Sequence, residues 1–264
     1  MVGQERLINQ INNFNINNFP KSSILNGEQG CGKHTLIKYI ESHLNLTSIY
    51  LNEINKDIID SIYLSPNPYI YVIDGDSLTI KQQNIILKTI EEPLKNSFLI
   101  ILNENISNLL PTIIDRCYVF NFDFYDDIML KQFIPPQYTE QLSLLNILRT
   151  PGKLINISNI NFNDYNNFSI KMISKLREAS LANALTISDK FNYKEDYNKF
   201  EIPLMIDLLL YNSYKDYIEN NNKNSFFFYN ITLNYKNKFS NKIFDKKQLM
   251  ISYIIELWEK LKGV

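Results

Sequence analysis

SSILNGEQGCGKHTLIKYIESH, residues 22 to 43, is the stretch from which the fold of the first half of the chain follows. Ser22 to Asn26 reads as a short strand running into a glycine cluster, and Thr35 to His43 continues as a helix. Between them Gly27, Gly32 and Lys33 have the G-x-x-x-x-G-K spacing of a phosphate-binding loop, in the strand-to-helix context that gives such a match meaning. Glycine is needed there because the backbone must adopt positive φ and bring its N–H groups close to phosphate oxygens. Lys33 adds a point charge, and the helix N-terminus adds a favourable dipole. The expected nucleotide contacts are therefore Gly27, Glu28, Gln29, Gly30, Cys31, Gly32, Lys33, His34 and Thr35. One position departs from the pattern: the hydroxyl that ligates Mg²⁺ belongs directly after the lysine, where this chain has His34. Thr35 comes one residue late, and one residue turns a helical side chain by about 100°, so Thr35 does not take over the role. His34 reads as a tolerated substitution rather than a metal ligand.

Outward from the loop, strands and helices alternate, as in an α/β domain with a parallel sheet. Tyr69 to Ile73 is a buried strand ending in Asp74, Thr79 to Glu91 a helix stopped by Pro93, and Phe98 to Leu102 and Tyr118 to Phe122 are further strands. An apolar strand that delivers Asp74 to the sheet's carboxyl edge is a Walker B arrangement, a carboxylate placed to hold Mg²⁺ or its water shell. Past Phe122 strand signals fade. Leu142, Leu145 and Leu148 recur at helical spacing before Pro151 and Gly152. After Asp164 the pattern is helical, with Pro203 near a helix start and Asn220 to Asn224 as a loop. In the last segment Met250, Ile254, Leu257, Trp258 and Leu261 form one apolar stripe. These shifts predict three parts: 1–122, 123–163 and 164–264.

Composition sets outer limits. The 264 residues exceed the usual single-domain size, and 45% hydrophobic with 21% charged residues is ordinary for a globular protein. No apolar run approaches the roughly 18 residues of a spanning helix, and MVGQERLINQ lacks the features of a signal peptide, so the expectation is a cytoplasmic protein with no membrane partner. Cys31 and Cys117 form no C-x-x-C pair, and no zinc is expected. A formal net charge of -1 gives no global attraction to nucleic acid; DNA contact would need a local surface or partner subunits. The frequent asparagines read as surface and loop positions.

Three motifs carry a family resemblance. YVIDGDSLTIKQQNIILKTIEEP follows the clamp-loader pattern LTxxxQNxLLKTLEEP through Leu78, Thr79, Gln83, Asn84, Leu87, Lys88, Thr89, Glu91, Glu92 and Pro93. NLLPTIIDRC, Asn108 to Cys117, looks like LLPTIxSRC, and VGQERL, Val2 to Leu7, is similar to an N-terminal GQ box. The chain thus resembles the delta-prime subunit of bacterial DNA polymerase III clamp loaders, with gamma/tau and replication factor C small subunits as near cousins. The match is dense over residues 1–122 and weak over 123–160, where only RTPGK, Arg149 to Lys153, is similar to the lid's sensor-2 turn. The family's zinc module is absent. The resemblance implies an α/β AAA+ P-loop domain, a parallel sheet with flanking helices, followed by a small helical lid and an all-α collar domain. It also implies a sensor-1 role for Asn103 or Asn105, a coupling role for Gln83, or else a plain exposed helical glutamine, and a nucleotide contact from Lys153. Arg116 becomes the arginine that reaches a neighbouring subunit's nucleotide, with Asp115 orienting or partly neutralising it.

Departures from the family pattern are informative too. The glutamate that should follow Asp74 to activate water is Gly75; Asp76, two residues on, should point elsewhere. With His34 at the Mg²⁺ position and Lys153 in place of a sensor-2 arginine, three catalytic parts are altered, which predicts loss of hydrolysis and weak or absent Mg-ATP binding by the isolated chain. The leading reading is a non-hydrolysing subunit in a hetero-oligomer with other clamp-loader subunits. It would lend Arg116 to a neighbour, help present the sliding clamp and reach primer-template DNA through the assembled complex. One alternative is an active ATPase motor subunit, in which Asp76 and Thr35 replace the missing groups; another is a AAA+ loader or switch outside clamp loading.

Overall fold

The computed structural model describes residues 2–139, 141, 143–191, 200–241 and 243–263, so Leu142 lies outside the described residues. The chain divides into two compact units, Met1–Phe133 with Thr150–Gly152, and Ile134–Arg149 with Lys153–Val264.

The first unit runs α1 (Glu5–Asn12), β1 (Ser22–Asn26), α2 (Lys33–Leu44), β2 (Thr47–Leu51), α3 (Lys56–Tyr63), β3 (Tyr69–Asp74), α4 (Ile80–Glu91), β4 (Phe98–Asn103), α5 (Pro111–Ile114), β5 (Tyr118–Asn121) and α6 (Asp127–Lys131). All five strands are parallel, in the order β2-β3-β4-β1-β5. Alternation along each strand sends successive residues to opposite faces. Leu25, Val72, Ile100 and Phe120 pack with Leu36, Ile37 and Ile40 of α2 and with Leu7 and Ile11 of α1. Ile24, Ile73, Leu99 and Ile101 pack with Ile59 of α3, Ile86 and Ile90 of α4 and Ile113 of α5. Truncating a central residue such as Ile100, fully buried, would cost about 2–5 kcal/mol. Thr79 starts α4 with a capping box: its hydroxyl accepts from the Gln82 N–H while the Gln82 side chain accepts from the Thr79 N–H.

β2 was not among the strands expected from sequence. It is a sheet edge whose residues are exposed or half-buried, so it carries no apolar alternation to read.

The second unit is helical among its described residues: α7 (Leu144–Ile147), α8 (Pro151–Asn156, from Lys153 onward), α9 (Phe162–Glu178), α10 (Leu181–Leu185), α11 (Ile202–Asn220), α12 (Lys223–Ser240) and α13 (Lys246–Lys262). Pro203 sits in the first turn of α11, where its missing N–H has no helical partner to lose. The loop expected over Asn220 to Asn224 is shorter. Asn221 takes φ +50°, a conformation asparagine tolerates, and Asn222 already caps α12. Met250, Ile254 and Leu257 of the C-terminal stripe are fully buried within this unit, where α13 packs on α9, α10 and α12. Trp258 is half-buried and donates its ring N–H to Ala179 O at 3.0 Å. Lys153 and Lys236 lie 2.7 and 3.0 Å from the two carboxylate oxygens of the buried Asp207, joining α8, α11 and α12 through one ion triad.

Candidate functional site

Parallel pairing aligns the carboxyl ends of the central strands: Asn26 is level with Asn103, and Asp74 with Leu102. The loop from Gly27 to Gly32 leaves this edge and opens α2, with Gly30 at φ +80° and Gly32 at φ +104°. Those angles are strained for any residue with a Cβ, and between them the Cys31 N–H closes a turn on Glu28 O at 3.2 Å. Gly27 is required by space instead, since a Cβ would stand 2.8 Å from Cys31 Sγ and 2.9 Å from Phe122 Cβ. Lys33 Nζ donates to Gly27 O, and to Glu28 O at 3.2 Å, which leaves its third proton direction for another acceptor. Cys31 is buried, and burial pushes its thiol up to about 11, so it stays protonated at neutral pH. Its carbonyl accepts from Tyr125 Oη at 2.7 Å. The GQ box supports the same corner: Gln4 is buried, and its side chain donates to Asp123 O and accepts from Asp123 N, both at 2.9 Å.

His34 and Thr35 are both exposed on the first turn of α2. His34 Nδ1 lies 3.1 Å from Tyr50 Oη, with the rings 5.6 Å apart, so a β2 residue holds the side chain at the position after Lys33.

Asp74 ends β3 half-buried, and its side chain accepts from the Asp76 N–H at 3.3 Å. Gly75 has no room for a side chain: a Cβ would meet Ile101 Cγ2 at 2.8 Å and Leu102 O at 3.0 Å. Asp76 turns inward, 3% exposed, and accepts from Asn103 Nδ2 at 2.9 Å, Asn108 Nδ2 at 3.2 Å and Glu104 N at 2.8 Å. Burial raises its carboxyl above the ordinary aspartate value, against the opposing pull of the Asn108 and Glu104 bonds. Asn103 is wholly buried on β4 with its amide committed to Asp76, whereas Asn105 is a cap that accepts from Ser107 N at 3.1 Å.

The reading of Gln83 as an exposed helical residue is corrected. It is 3% exposed, donates to Asn108 O at 3.0 Å and Leu78 O at 3.2 Å, and accepts from Leu110 N at 2.7 Å. The helical spacing of α4 turns this position onto the Asn108–Leu110 turn. A polar chain thus runs Gln83–Asn108–Asp76–Asn103, from α4 to the sheet edge.

Arg116 follows α5 and is exposed. Its Nε lies 3.2 Å from Glu91 Oε1, and Nη1 donates to Thr112 O at 3.1 Å. Glu91, at the end of α4, therefore holds the guanidinium in the place anticipated for Asp115, because folding brings the ends of α4 and α5 together.

The structure thus gathers Gly27 to Lys33, Asp74, Asp76 and Asn103 at one edge, and sets Lys153 on Asp207 in the helical unit. Thr150, Tyr125, Tyr50, Asn108 and Glu91 are the supporting residues the sequence did not reveal. Their partners lie 16 to 121 residues away along the chain, Glu91 and Asn108 included, and no local periodicity marks such pairs. The loop fits the polyphosphate of a nucleotide. The metal side does not fit: no hydroxyl follows Lys33, and His34 is engaged by Tyr50. Among the described residues no group of three His, Cys, Asp or Glu side chains is placed to hold a metal ion, and no helix is long and apolar enough to cross a membrane.

Residues 47–125 match the family described as "DNA polymerase III, delta subunit". The chain is 26% identical over 192 residues to DNA polymerase III subunit gamma of Buchnera aphidicola from Acyrthosiphon pisum, covering 56% of this chain and 52% of that one. It is 32% identical over 71 residues to DNA polymerase III subunit delta' of Haemophilus influenzae, 27% of this chain and 22% of the relative. The chain spans about half the length of the gamma subunits it matches. Among solved structures, a RuvB variant from Thermotoga maritima is similar in fold, with a TM-score of 0.51 at 16% identity, over 82% of this chain and 76% of that one.

Proposed function

We propose that this chain is a AAA+ clamp-loader subunit of the DNA polymerase III kind, a non-hydrolysing member of a hetero-oligomeric loader that lends Arg116 to the nucleotide of a neighbouring subunit. One observation carries the reading: the only acidic side chain close behind Asp74 is turned inward and bonded. Gly75 has no space for a glutamate, and Asp76 accepts three hydrogen bonds from Asn103, Asn108 and Glu104. A general base needs an accessible lone pair within hydrogen-bond reach of water, and this arrangement supports none in cis. The same bond takes the Asn103 amide away from a sensor-1 contact, and the Asp207 carboxylate engages the ammonium of Lys153.

Arg116 contrasts with this. It stands exposed with part of its donor fork beyond Glu91 and Thr112, the form in which a guanidinium can meet phosphate oxygens in trans. The loop would hold nucleotide phosphates through its N–H groups and Lys33, while Mg-ATP binding by the isolated chain is weak or absent. Assembly would use the helical unit. Met250, Ile254 and Leu257 of its C-terminal stripe are buried, so the candidate surface is α11 and α12, where Tyr214, Ile218, Phe226 and Leu233 are exposed. Partners would be other loader subunits, the sliding clamp and, through the assembly, primer-template DNA, in the cytoplasm.

The test is ATP turnover by the loader co-purified with this chain carrying wild type, Arg116→Ala or Lys33→Ala. The reading expects Arg116→Ala to depress turnover and Lys33→Ala to leave most of it. The reverse pattern would make the chain a motor.

A further inference from the structure

The turn Thr150–Gly152 lies against the back of the phosphate loop, more than a hundred residues away in sequence. Thr150, only 3% exposed, donates its hydroxyl to Gln29 O at 2.8 Å. Gly152 N donates to Gly30 O at 2.9 Å. The approach is so close that a Cβ on Gly152 would stand 2.6 Å from Gly30 Cα, which explains a glycine there on grounds of space alone. On the next peptide, Tyr125 Oη donates to Cys31 O.

In a planar trans peptide the carbonyl and the following N–H point in opposite directions, so fixing one fixes the other. The bond at Gln29 O sets the Gly30 N–H and the bond at Cys31 O sets the Gly32 N–H, while the bond at Gly30 O sets the Cys31 N–H, which donates within the loop to Glu28 O at 3.2 Å. A loop that binds anions through N–H groups works best when these are already turned before the ligand arrives, because no ordering cost then falls on binding. Glycine-rich loops are otherwise among the least ordered segments of a chain. We propose that Thr150 and Gly152 are positioning residues for the phosphate loop: they strap the Gln29 and Gly30 carbonyls, and so hold the Gly30 N–H ready for a polyphosphate and the Cys31 N–H on Glu28 O. The next residue, Lys153, belongs to the helical unit and pairs there with Asp207.

The polyphosphate part of this inference rests on reading the loop as an anion site, and the experiment separates the two. Amide hydrogen exchange is measured at Gly30, Cys31 and Gly32 in the full chain as wild type, Thr150→Val, Thr150→Ser and Gly152→Ala, and tripolyphosphate binding is followed by calorimetry in the same proteins and in Lys33→Ala. Thr150→Val should loosen the loop and speed exchange at Cys31, whose N–H is bonded to Glu28 O, about fivefold, the factor that loss of a neutral hydrogen bond of about 1 kcal/mol gives at 25 °C. Thr150→Ser, which keeps the hydroxyl, should restore it, and Gly152→Ala should speed exchange at Cys31 at least as much. Tripolyphosphate affinity should fall severalfold in Thr150→Val and recover in Thr150→Ser. Should Gly152→Ala fail to fold, the valine and serine pair still decides. Unchanged exchange at Cys31 in Thr150→Val would overturn the strap whatever the anion does. Faster exchange with no tripolyphosphate binding even in wild type would keep the strap and overturn the anion site it was taken to serve.

Discussion

The two ends of the helix-and-strand layer that bear chemistry are built differently. At the loop edge, Lys33, His34, Asp76 and Asn103 are each bonded to another group of the same unit, and Asp76 and Asn103 are almost wholly buried. At the α5 turn Arg116 stands exposed, held by one carboxylate and one carbonyl. Asp76, enclosed by three donors, is costly to redirect, because each broken bond leaves a buried donor unpaired, although Asn103 Oδ1 beside it is buried without a partner. A half-solvated guanidinium can be redirected for well under the energy of a new phosphate contact. The difference teaches that one edge of the sheet is fixed by its own network while Arg116, at the α5 turn, keeps the freedom that the proposed role in trans would need.

The largest expected effect falls on the exposed side. If Arg116 has the proposed role in trans, Arg116→Ala should lower hydrolysis at the neighbouring site by about 10³-fold or more, as loss of an arginine finger does in other NTPases. Single-turnover hydrolysis in the assembled loader reads this directly; wild-type kinetics would remove the contrast between the two ends.

Next in size is the buried network. Asp76→Ala would leave the amides of Asn103 and Asn108 and the Glu104 N–H without their acceptor, at a cost of about 2–4 kcal/mol seen in urea denaturation. Its pH dependence has a defined sign. Burial raises the carboxyl in the folded state, so the native form binds the proton more readily than the unfolded one, whose value is about 3.9. Stability from this group therefore falls as pH climbs from the unfolded value through the raised folded one, and Asp76→Asn should flatten that slope. A slope that steepens instead would mean the carboxylate is the favoured buried form.

A smaller loss is expected from Lys153→Met. Breaking a buried ion pair usually costs about 3–5 kcal/mol, but Lys236 stays 3.0 Å from the same carboxylate, so about 1–2 kcal/mol should remain, read in the same denaturation assay. A change in nucleotide affinity with no change in stability would instead place Lys153 at the nucleotide.

What sequence disclosed of this molecule follows from how local each signal is. The loop was legible because Gly27, Gly32 and Lys33 are spaced by the geometry they must adopt, and β3 and β4 because they are buried on both faces. β2 was not, since an exposed edge strand needs no apolar pattern. Gln83 was recognised by motif, yet its burial depends on the Asn108–Leu110 turn, 25 residues or more downstream. Likewise Asp76 could be doubted as a base from its position, but only the fold shows it bonded to Asn103. The replacement of Asp115 by Glu91 beside Arg116 was illegible for the same reason: the ends of α4 and α5 meet only in three dimensions.

The smallest effect tests how Arg116 is aimed. Glu91 is the last residue of α4, where the helix dipole disfavours a carboxylate by about 0.3–1 kcal/mol, and the guanidinium 3.2 Å away offsets this. Both side chains are roughly half exposed, so the pair itself contributes at most about 1 kcal/mol and is screened by salt. With Nε on Glu91 and one Nη1 proton on Thr112 O, the Nη2 protons and the second Nη1 proton are left for an oxygen on a partner. Glu91→Gln should then leave the melting transition within about 0.5 kcal/mol of wild type while lowering turnover at the neighbouring site about two- to fivefold at low salt, with the gap closing as salt is raised. Faster turnover in Glu91→Gln would show the carboxylate restraining the arginine, and the exposed end of the layer would then be held back by its own chain as the loop edge is.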